Sequence, residues 1–170
     1  QPHAPVGRFA NKFSRAVVAG GAVANPPAVP SPVDPPLWSA GIKGGDEVVG
    51  IGDSGLDMQS CFFRDSNNMN AGPNHRKVVM YRATSTGNLN DDHGHGTHCA
   101  GTLAGSPVDS SATSGIVPMT GLAPLAKLAV TDLGVGIADE MAVPTSMKDY
   151  YAPPWDAGAR VHSDSWGEIS

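Results

Sequence analysis

The chain has 170 residues and a formal net charge of −5, with 40% hydrophobic and 16% charged residues. This length suffices for one domain with a core, and the low charged fraction excludes a coiled coil or a charged disordered tail. The negative charge argues against a nucleic-acid partner, which would need a basic face. No apolar run approaches the length of a membrane-spanning helix, and two cysteines, Cys61 and Cys99, do not form a disulfide framework.

The first 36 residues are predicted to form an N-terminal extension. A mildly basic, apolar start leads into a Pro-rich connector at 25–32. Because proline has no backbone N–H to donate, the connector cannot continue a helix or a central strand, and we expect it to run extended over the surface. A plain spacer is the preferred interpretation, ahead of a proline-rich ligand for another domain.

A β-branched apolar run at 47–51 stops abruptly at Gly52, Asp53, Ser54 and Gly55. Such a run is typical of a buried parallel strand, which would carry Asp53 to its carboxyl end. Ligands and catalytic groups of open α/β sheets collect at that edge. Asp53 is therefore predicted to stand in a functional site.

A second block, at 91–105, begins Asp-Asp-His-Gly-His-Gly-Thr-His-Cys. Small residues that continue into a short apolar run suit a tightly packed helix with an imidazole at its entrance. An aspartate at a strand end and a histidine at a helix start can meet across the top of a sheet. Asp53 is then expected to orient His95, which would act as general base.

The remaining segments predict further elements. Short β-prone runs at 77–82 and 122–131 predict two strands. The segment 138–156 has helical composition but contains Pro144, Pro153 and Pro154. Any helix there is expected to be short or broken.

Three motifs together carry a resemblance to a known family. They are Gly52–Gly55, His95–Gly101 and Ser163–Gly167, and their order and approximate spacing resemble the subtilisin-like serine proteases, peptidase S8. The resemblance covers the chain from about Leu37 to its end and is closest to the Kp-43-like alkaline branch. It implies an α/β fold, a truncated three-layer sandwich with a mostly parallel sheet, in which 37–170 is the amino-terminal part of the peptidase domain.

The resemblance implies a role for each matching residue. Asp53 and His95 match the aspartate and the base of a Ser/His/Asp triad that hydrolyses peptide bonds. Ser165, Trp166 and Gly167 match the strand that pairs with the substrate and walls its primary specificity pocket. The implied protein is a secreted, extracellular hydrolase that acts in proteolysis on a peptide or protein substrate, and its catalysis requires no cofactor.

The family's nucleophile block, Gly-Thr-Ser-Met-Ala, does not occur in the 170 residues. With the oxyanion-hole asparagine also expected beyond Ser170, we predict that this fragment is inactive alone and that the missing C-terminal part of the domain is its partner. Thr145-Ser146-Met147 resembles the block, but it precedes the substrate strand and is flanked by Pro144 and Lys148. Glycine and a small residue are required there, so Ser146 is expected to be an ordinary helix-surface serine.

Two other functions stay open at this point. His93, His95 and His98 form His-x-His-x-x-His beside two aspartates, a set that could ligate zinc in a metal-dependent hydrolase. Metallo-β-lactamase-like proteins carry an aspartate directly before the third histidine, where this chain has Thr97. Alternatively, the chain is a non-catalytic peptide-binding fragment that grips its ligand through the substrate strand.

Other polar residues have less specific interpretations. Cys99 is expected to be a small buried residue beneath the site and not a nucleophile. Asp57 and Asp65 precede an asparagine-rich loop whose oxygens suit structural calcium, and the family often binds calcium at loops. No specific ligand pattern is present. A solvated turn is therefore the preferred interpretation, and no residue is assigned to a metal site.

Overall fold

The computed structural model describes residues 36–84, 89–108, 120–135 and 141–167. In chain order the elements within these ranges are helix α1 (Pro36–Ser39), strand β1 (Val48–Asp53), strand β2 (Val78–Ala83), helix α2 (His95–Ala104), strand β3 (Lys127–Asp132), helix α3 (Met147–Asp156) and strand β4 (Val161–Asp164). The connector at 25–32 lies outside the described residues, so its extended course stays a prediction. None of the described helices has the length and apolar character needed to cross a bilayer.

The strands form one parallel sheet in the order β2-β3-β1-β4. Asp53 of β1 lies opposite Asp132 of β3, and Gly52 lies opposite Asp164 of β4. Because parallel strands run in the same direction, their carboxyl ends meet at one edge and deliver all three carboxylates there. The α/β fold class predicted from the sequence is confirmed.

Helix α2 packs on one face of this sheet. Ile51, Leu128 and Val130 form a cluster with Ala100 and Ala104 of the helix, and each of these side chains is at most 2% exposed. Burying a branched apolar side chain stabilises a fold by about 1.5–3 kcal/mol. The two alanines stand one turn apart on the same helix face, so the α2 backbone can approach the strands closely. This packing fixes the start of α2 relative to β1.

Helix α3 contains two of the three prolines from which a short or broken helix is expected. Pro153 and Pro154 lie inside Met147–Asp156. A proline at 153 removes the N–H that would bond the carbonyl of Asp149. That carbonyl instead accepts a hydrogen bond from Arg82 Nη2 at 3.0 Å. The helix is therefore short, as expected, and begins after Pro144, but it is not interrupted at Pro153 and Pro154.

Ser146 is the N-cap of α3. Its hydroxyl accepts the N–H of Asp149 at 3.2 Å, and its backbone is extended. A serine in this position satisfies one of the amide groups that the first helical turn leaves unbonded. The structure thus gives Ser146 a capping role.

Candidate active site

Strand β1 ends in a buried carboxylate. Asp53 is the last residue of the strand and is 1% exposed. Its Oδ1 accepts the N–H of Ser54 at 2.8 Å and lies 2.7 Å from Nδ1 of His95. The structure therefore brings together the two side chains that the sequence motifs single out. Because a carboxylate only accepts hydrogen bonds, Nδ1 carries a proton, and in the neutral imidazole Nε2 keeps its lone pair.

Glycines let the start of α2 approach the end of β1. Gly94 has φ +84, in the left-handed region. A Cβ on Gly96 would lie 2.2 Å from the carbonyl oxygen of Gly55, so any larger residue there would push the helix away from the loop. His95 is the first residue of α2, and its side chain is 41% exposed. The imidazole thus reaches both a buried carboxylate and solvent.

Asp91 joins the strand to the helix through hydrogen bonds. Its Oδ1 accepts the Ser54 hydroxyl and the N–H of Gly94, both at 2.8 Å, and its Oδ2 accepts the N–H of Thr97 at 2.7 Å. The Ser54 hydroxyl in turn accepts the N–H of Gly96 at 2.9 Å. These bonds hold the first turn of α2 against the residue that follows Asp53.

Gly94 is the N-cap residue of α2 and has no side chain that could cap the helix. The hydrogen bonds around Asp91 provide this cap instead. Burial alone would raise the pKa of Asp91, but hydrogen bonds from Thr97, Ser54 and Gly94 outweigh it and lower the pKa. Sequence reasoning considered Asp91 only as a metal ligand and missed this role. The available signal was an acidic residue just before a helix start, where it can bind unbonded amide groups.

Cys99 lies one turn after His95 on the same helix. Its Sγ is 3.8 Å from each nitrogen of the imidazole, and the residue is half-buried. Burial first, and then the charge of Asp53, raise the pKa of the thiol. A protonated thiol is a poor nucleophile, so Cys99 is a small residue packed beside the imidazole.

The three-histidine metal site does not form. Among the described residues, the single group of three donors with atoms within 4.8 Å of one another is Asp53, His95 and Cys99. The His93 and His95 ring centroids are 6.4 Å apart in an edge arrangement. Nδ1 of His95 is already bonded to Asp53, so a soft metal in that group would have to disrupt this bond. The metal-dependent hydrolase is therefore not favoured.

Ser165, Trp166 and Gly167 follow β4, which pairs with β1. The Trp166 indole N–H donates to the carbonyl oxygen of Gly52 at 3.0 Å, so this segment lies beside the strand that carries Asp53. All three residues are exposed, which contact with a bound peptide requires. The segment and the Asp53–His95 pair stand at the same edge of the sheet.

The family model for the subtilase family, peptidase S8, matches residues 44–170 of the chain. The chain belongs to the subtilase family. Similar curated proteins include three Dictyostelium discoideum serine protease/ABC transporter B family proteins. They are tagA, 35% identical over 92% of the chain, tagD, 43% identical over 76%, and tagB, 45% identical over 76%. The chain spans 8% of the length of tagA and 7% of tagD and tagB.

This subtilase chain holds a further buried carboxylate that sequence reasoning missed. Asp132 ends β3 in register with Asp53, is 2% exposed, and accepts the N–H of Gly134 at 2.9 Å. Burial raises the pKa of Asp132 to about 6, opposed by the Gly134 hydrogen bond and assisted by the charges of Asp91 and Asp92. The signal was present, because β3, like β1, is an apolar strand that ends at an aspartate.

Asp65 organises the loop that was considered for calcium. Its Oδ1 accepts the N–H groups of Asn67 and Asn68 at 2.9 and 3.2 Å, and its Oδ2 accepts the N–H of Arg76 at 2.9 Å. These bonds, with the one from Arg76 first, lower the pKa of Asp65 to about 2. The carboxylate closes a polar turn, and structural calcium stays the less favoured of the two interpretations of this loop.

Proposed function

We propose that this chain provides the aspartate, the histidine and the substrate-binding strand of a subtilisin-like serine endopeptidase. The observation that carries the proposal is the 2.7 Å contact between the buried Asp53 and the partly exposed His95. Membership of the subtilase family supports it, and the Dictyostelium relatives are named as serine proteases.

The proposed reaction is acyl transfer from a peptide bond to water. His95 Nε2 takes the proton of a serine hydroxyl as that oxygen attacks the carbonyl carbon, and then gives it to the leaving amine. Asp53 keeps the proton on Nδ1 and stabilises the imidazolium that forms. The substrate lies extended along Ser165–Gly167 and pairs with that backbone.

The finer parts of the proposal rest on sequence. Because the block Gly-Thr-Ser-Met-Ala does not occur in the 170 residues, this chain alone is proposed to have no peptidase turnover. A position in the Kp-43-like alkaline branch is proposed from the motif at 157–167. Secretion is part of the same proposal.

The test uses a longer polypeptide that contains this chain and a nucleophile serine, assayed on chromogenic peptides. His95→Ala is expected to lower kcat by at least about 10⁴-fold, since it removes the general base. His93→Ala is the matched control, because it removes an exposed imidazole two residues earlier and should change kcat by less than about twofold. A serine-directed sulfonyl fluoride should inactivate the enzyme.

Three results would contradict the proposal. Substantial turnover in His95→Ala would remove the general base from the mechanism. Bound zinc that is lost together with activity in His93→Ala would support the metal-dependent hydrolase. Peptide binding without turnover, in a polypeptide that includes the nucleophile block, would support a binding module.

A further inference from the structure

Strand β1 carries two glycines on the face turned away from α2. Gly50 and Gly52 lie on that face, alternating with Ile51 and Asp53 on the other. A Cβ on Gly50 would lie 2.2 Å from the His162 ring, and one on Gly52 would lie 1.6 Å from the Tyr150 hydroxyl oxygen. Side chains from α3 and β4 therefore occupy the space that the two glycines leave.

These side chains converge on the carboxylate at the end of β4. The Tyr150 hydroxyl donates to Oδ1 of Asp164. Oδ2 accepts the Tyr151 hydroxyl at 3.2 Å and lies 3.2 Å from Nδ1 of His162. Tyr150 is fully buried, whereas Tyr151 is 41% exposed. Burial first, and then the bond to Asp164, raise the pKa of the Tyr150 phenol, so it stays protonated and remains a donor.

The same network holds both neighbours of Ser165. Asp164, on one side, is bonded to Tyr150. Trp166, on the other side, donates to the carbonyl oxygen of Gly52, the residue against which the Tyr150 hydroxyl packs. Both residues that flank Ser165 are thus held beside the strand that carries Asp53. The buried phenol of Tyr150 contacts Asp164 directly and also contacts Gly52, to which Trp166 is bonded.

We propose that Tyr150 is a positioning residue for the substrate strand, because its hydroxyl binds Asp164 and packs on Gly52, the residue that holds Trp166, and thereby fixes the backbone of Ser165–Gly167 beside β1. This inference rests on the proposed function of that segment. Tyr150 itself is buried beneath the segment and touches no reacting atom. Tyr151 binds the same carboxylate from the exposed side, whereas the side-chain atoms nearest the Cβ position of Gly52 belong to Tyr150 and Asp164.

The effect should fall on substrate binding. A backbone that pairs with the peptide equally in the ground state and the transition state contributes to KM and leaves kcat nearly unchanged. A hydrogen bond to a charged acceptor is among the stronger ones in a protein. We therefore expect loss of the hydrogen bond between Tyr150 and Asp164 to raise KM by about five- to tenfold.

The experiment compares two phenol deletions on the same carboxylate, in the longer polypeptide that contains the nucleophile serine. Tyr150→Phe is expected to raise KM about five- to tenfold with kcat within about twofold, while Tyr151→Phe leaves both constants within about twofold. Asp164→Asn keeps an acceptor for the Tyr150 hydroxyl and should retain most of the affinity, whereas Asp164→Ala should raise KM as Tyr150→Phe does. Thermal unfolding of each variant is recorded in parallel.

The outcomes separate this inference from the function on which it rests. A Tyr150→Phe variant with a lower melting temperature and an unchanged KM would show that Tyr150 only stabilises the fold, and the inference would fail. Equal KM values for Tyr150→Phe and Tyr151→Phe, or equal losses in Asp164→Asn and Asp164→Ala, would also overturn it. Turnover in His95→Ala would overturn the proposed mechanism, whatever the tyrosine variants do.

Discussion

Lys77, just before β2, has its amino group buried inside the protein. It is 3% exposed, and its Nζ donates to the carbonyl oxygens of Pro124 and Ala126. Burial, and then the charges of Arg76 and Lys127, lower the pKa of Lys77 from 10.5 to about 7. The unfolded chain therefore binds more protons than the folded chain between pH 7 and 10.5. The contribution of Lys77 to stability accordingly rises with pH across that window.

Replacement of Lys77 by Met removes the charge and roughly conserves the volume. For a pKa that falls from 10.5 to about 7, the cost of burying the charge differs by about 4 kcal/mol between pH 6 and pH 10. Lys77→Met should therefore change the free energy of unfolding more favourably at pH 6 than at pH 10, by the same amount. At pH 10 the variant should be less stable by about 1–3 kcal/mol, because buried carbonyls lose their donor.

The assay is urea unfolding followed by circular dichroism at both pH values, for the wild type, Lys77→Met and a control, Lys148→Met. Lys148 is a suitable control because it is exposed on α3 and is not among the charges that lower the pKa of Lys77, so its replacement should show little pH dependence. The reasoning is refuted if Lys77→Met changes stability equally at the two pH values. An Nζ resonance of Lys77 that titrates near pH 10 would refute it as well.

Three further substitutions test the described contacts. Gly52→Ala should destabilise the chain by about 3 kcal/mol or more, since the new Cβ would fall on the Tyr150 hydroxyl; a melting temperature equal to wild type would contradict the packing of α3. Ser146→Ala should cost about 1 kcal/mol in urea unfolding through loss of the α3 cap, and no change would mean that the cap is not formed in solution. Asp132, whose pKa is raised to about 6, makes the fold less stable as the pH rises from about 4 to 6, because the folded state then binds more protons than the unfolded state. The effect of Asp132→Asn on the free energy of unfolding should therefore be more favourable at pH 7 than at pH 4 by about 2–3 kcal/mol. An effect that is the same at both pH values would exclude a buried charge.

The parts of the site that the sequence predicts are those encoded by local pattern. Asp53 ends an apolar, β-branched run, and this pattern alone places a carboxylate at the edge of a parallel sheet. His95 begins a run of small residues, which indicates a closely packed helix start. Both expectations concern a residue and its immediate neighbours, and the structure places both side chains accordingly.

The parts that the sequence does not predict depend on contacts between distant residues. Helix α3 continues through Pro153 because Arg82, 67 residues away from Asp149 in the chain, binds the carbonyl that the proline leaves unbonded. Asp132 lies beside Asp53 because β3 pairs in register with β1. No periodicity encodes that register, because strand order is decided by the packing of the whole sheet.

The hydrogen bonds around Asp91 have a consequence for how this site can diverge. Asp53 and His95 are separated by 42 positions in the chain, yet the bonds that set their spacing come from Ser54, which follows Asp53 directly, and from Asp91, which lies in the peptide that leads into His95. The geometry of the pair is thus carried by two short peptides, and the polypeptide between them can gain or lose residues at its exposed turns. Chimeras that exchange the stretch between Asp57 and Asn90 with that of another subtilase should keep the two side chains in contact.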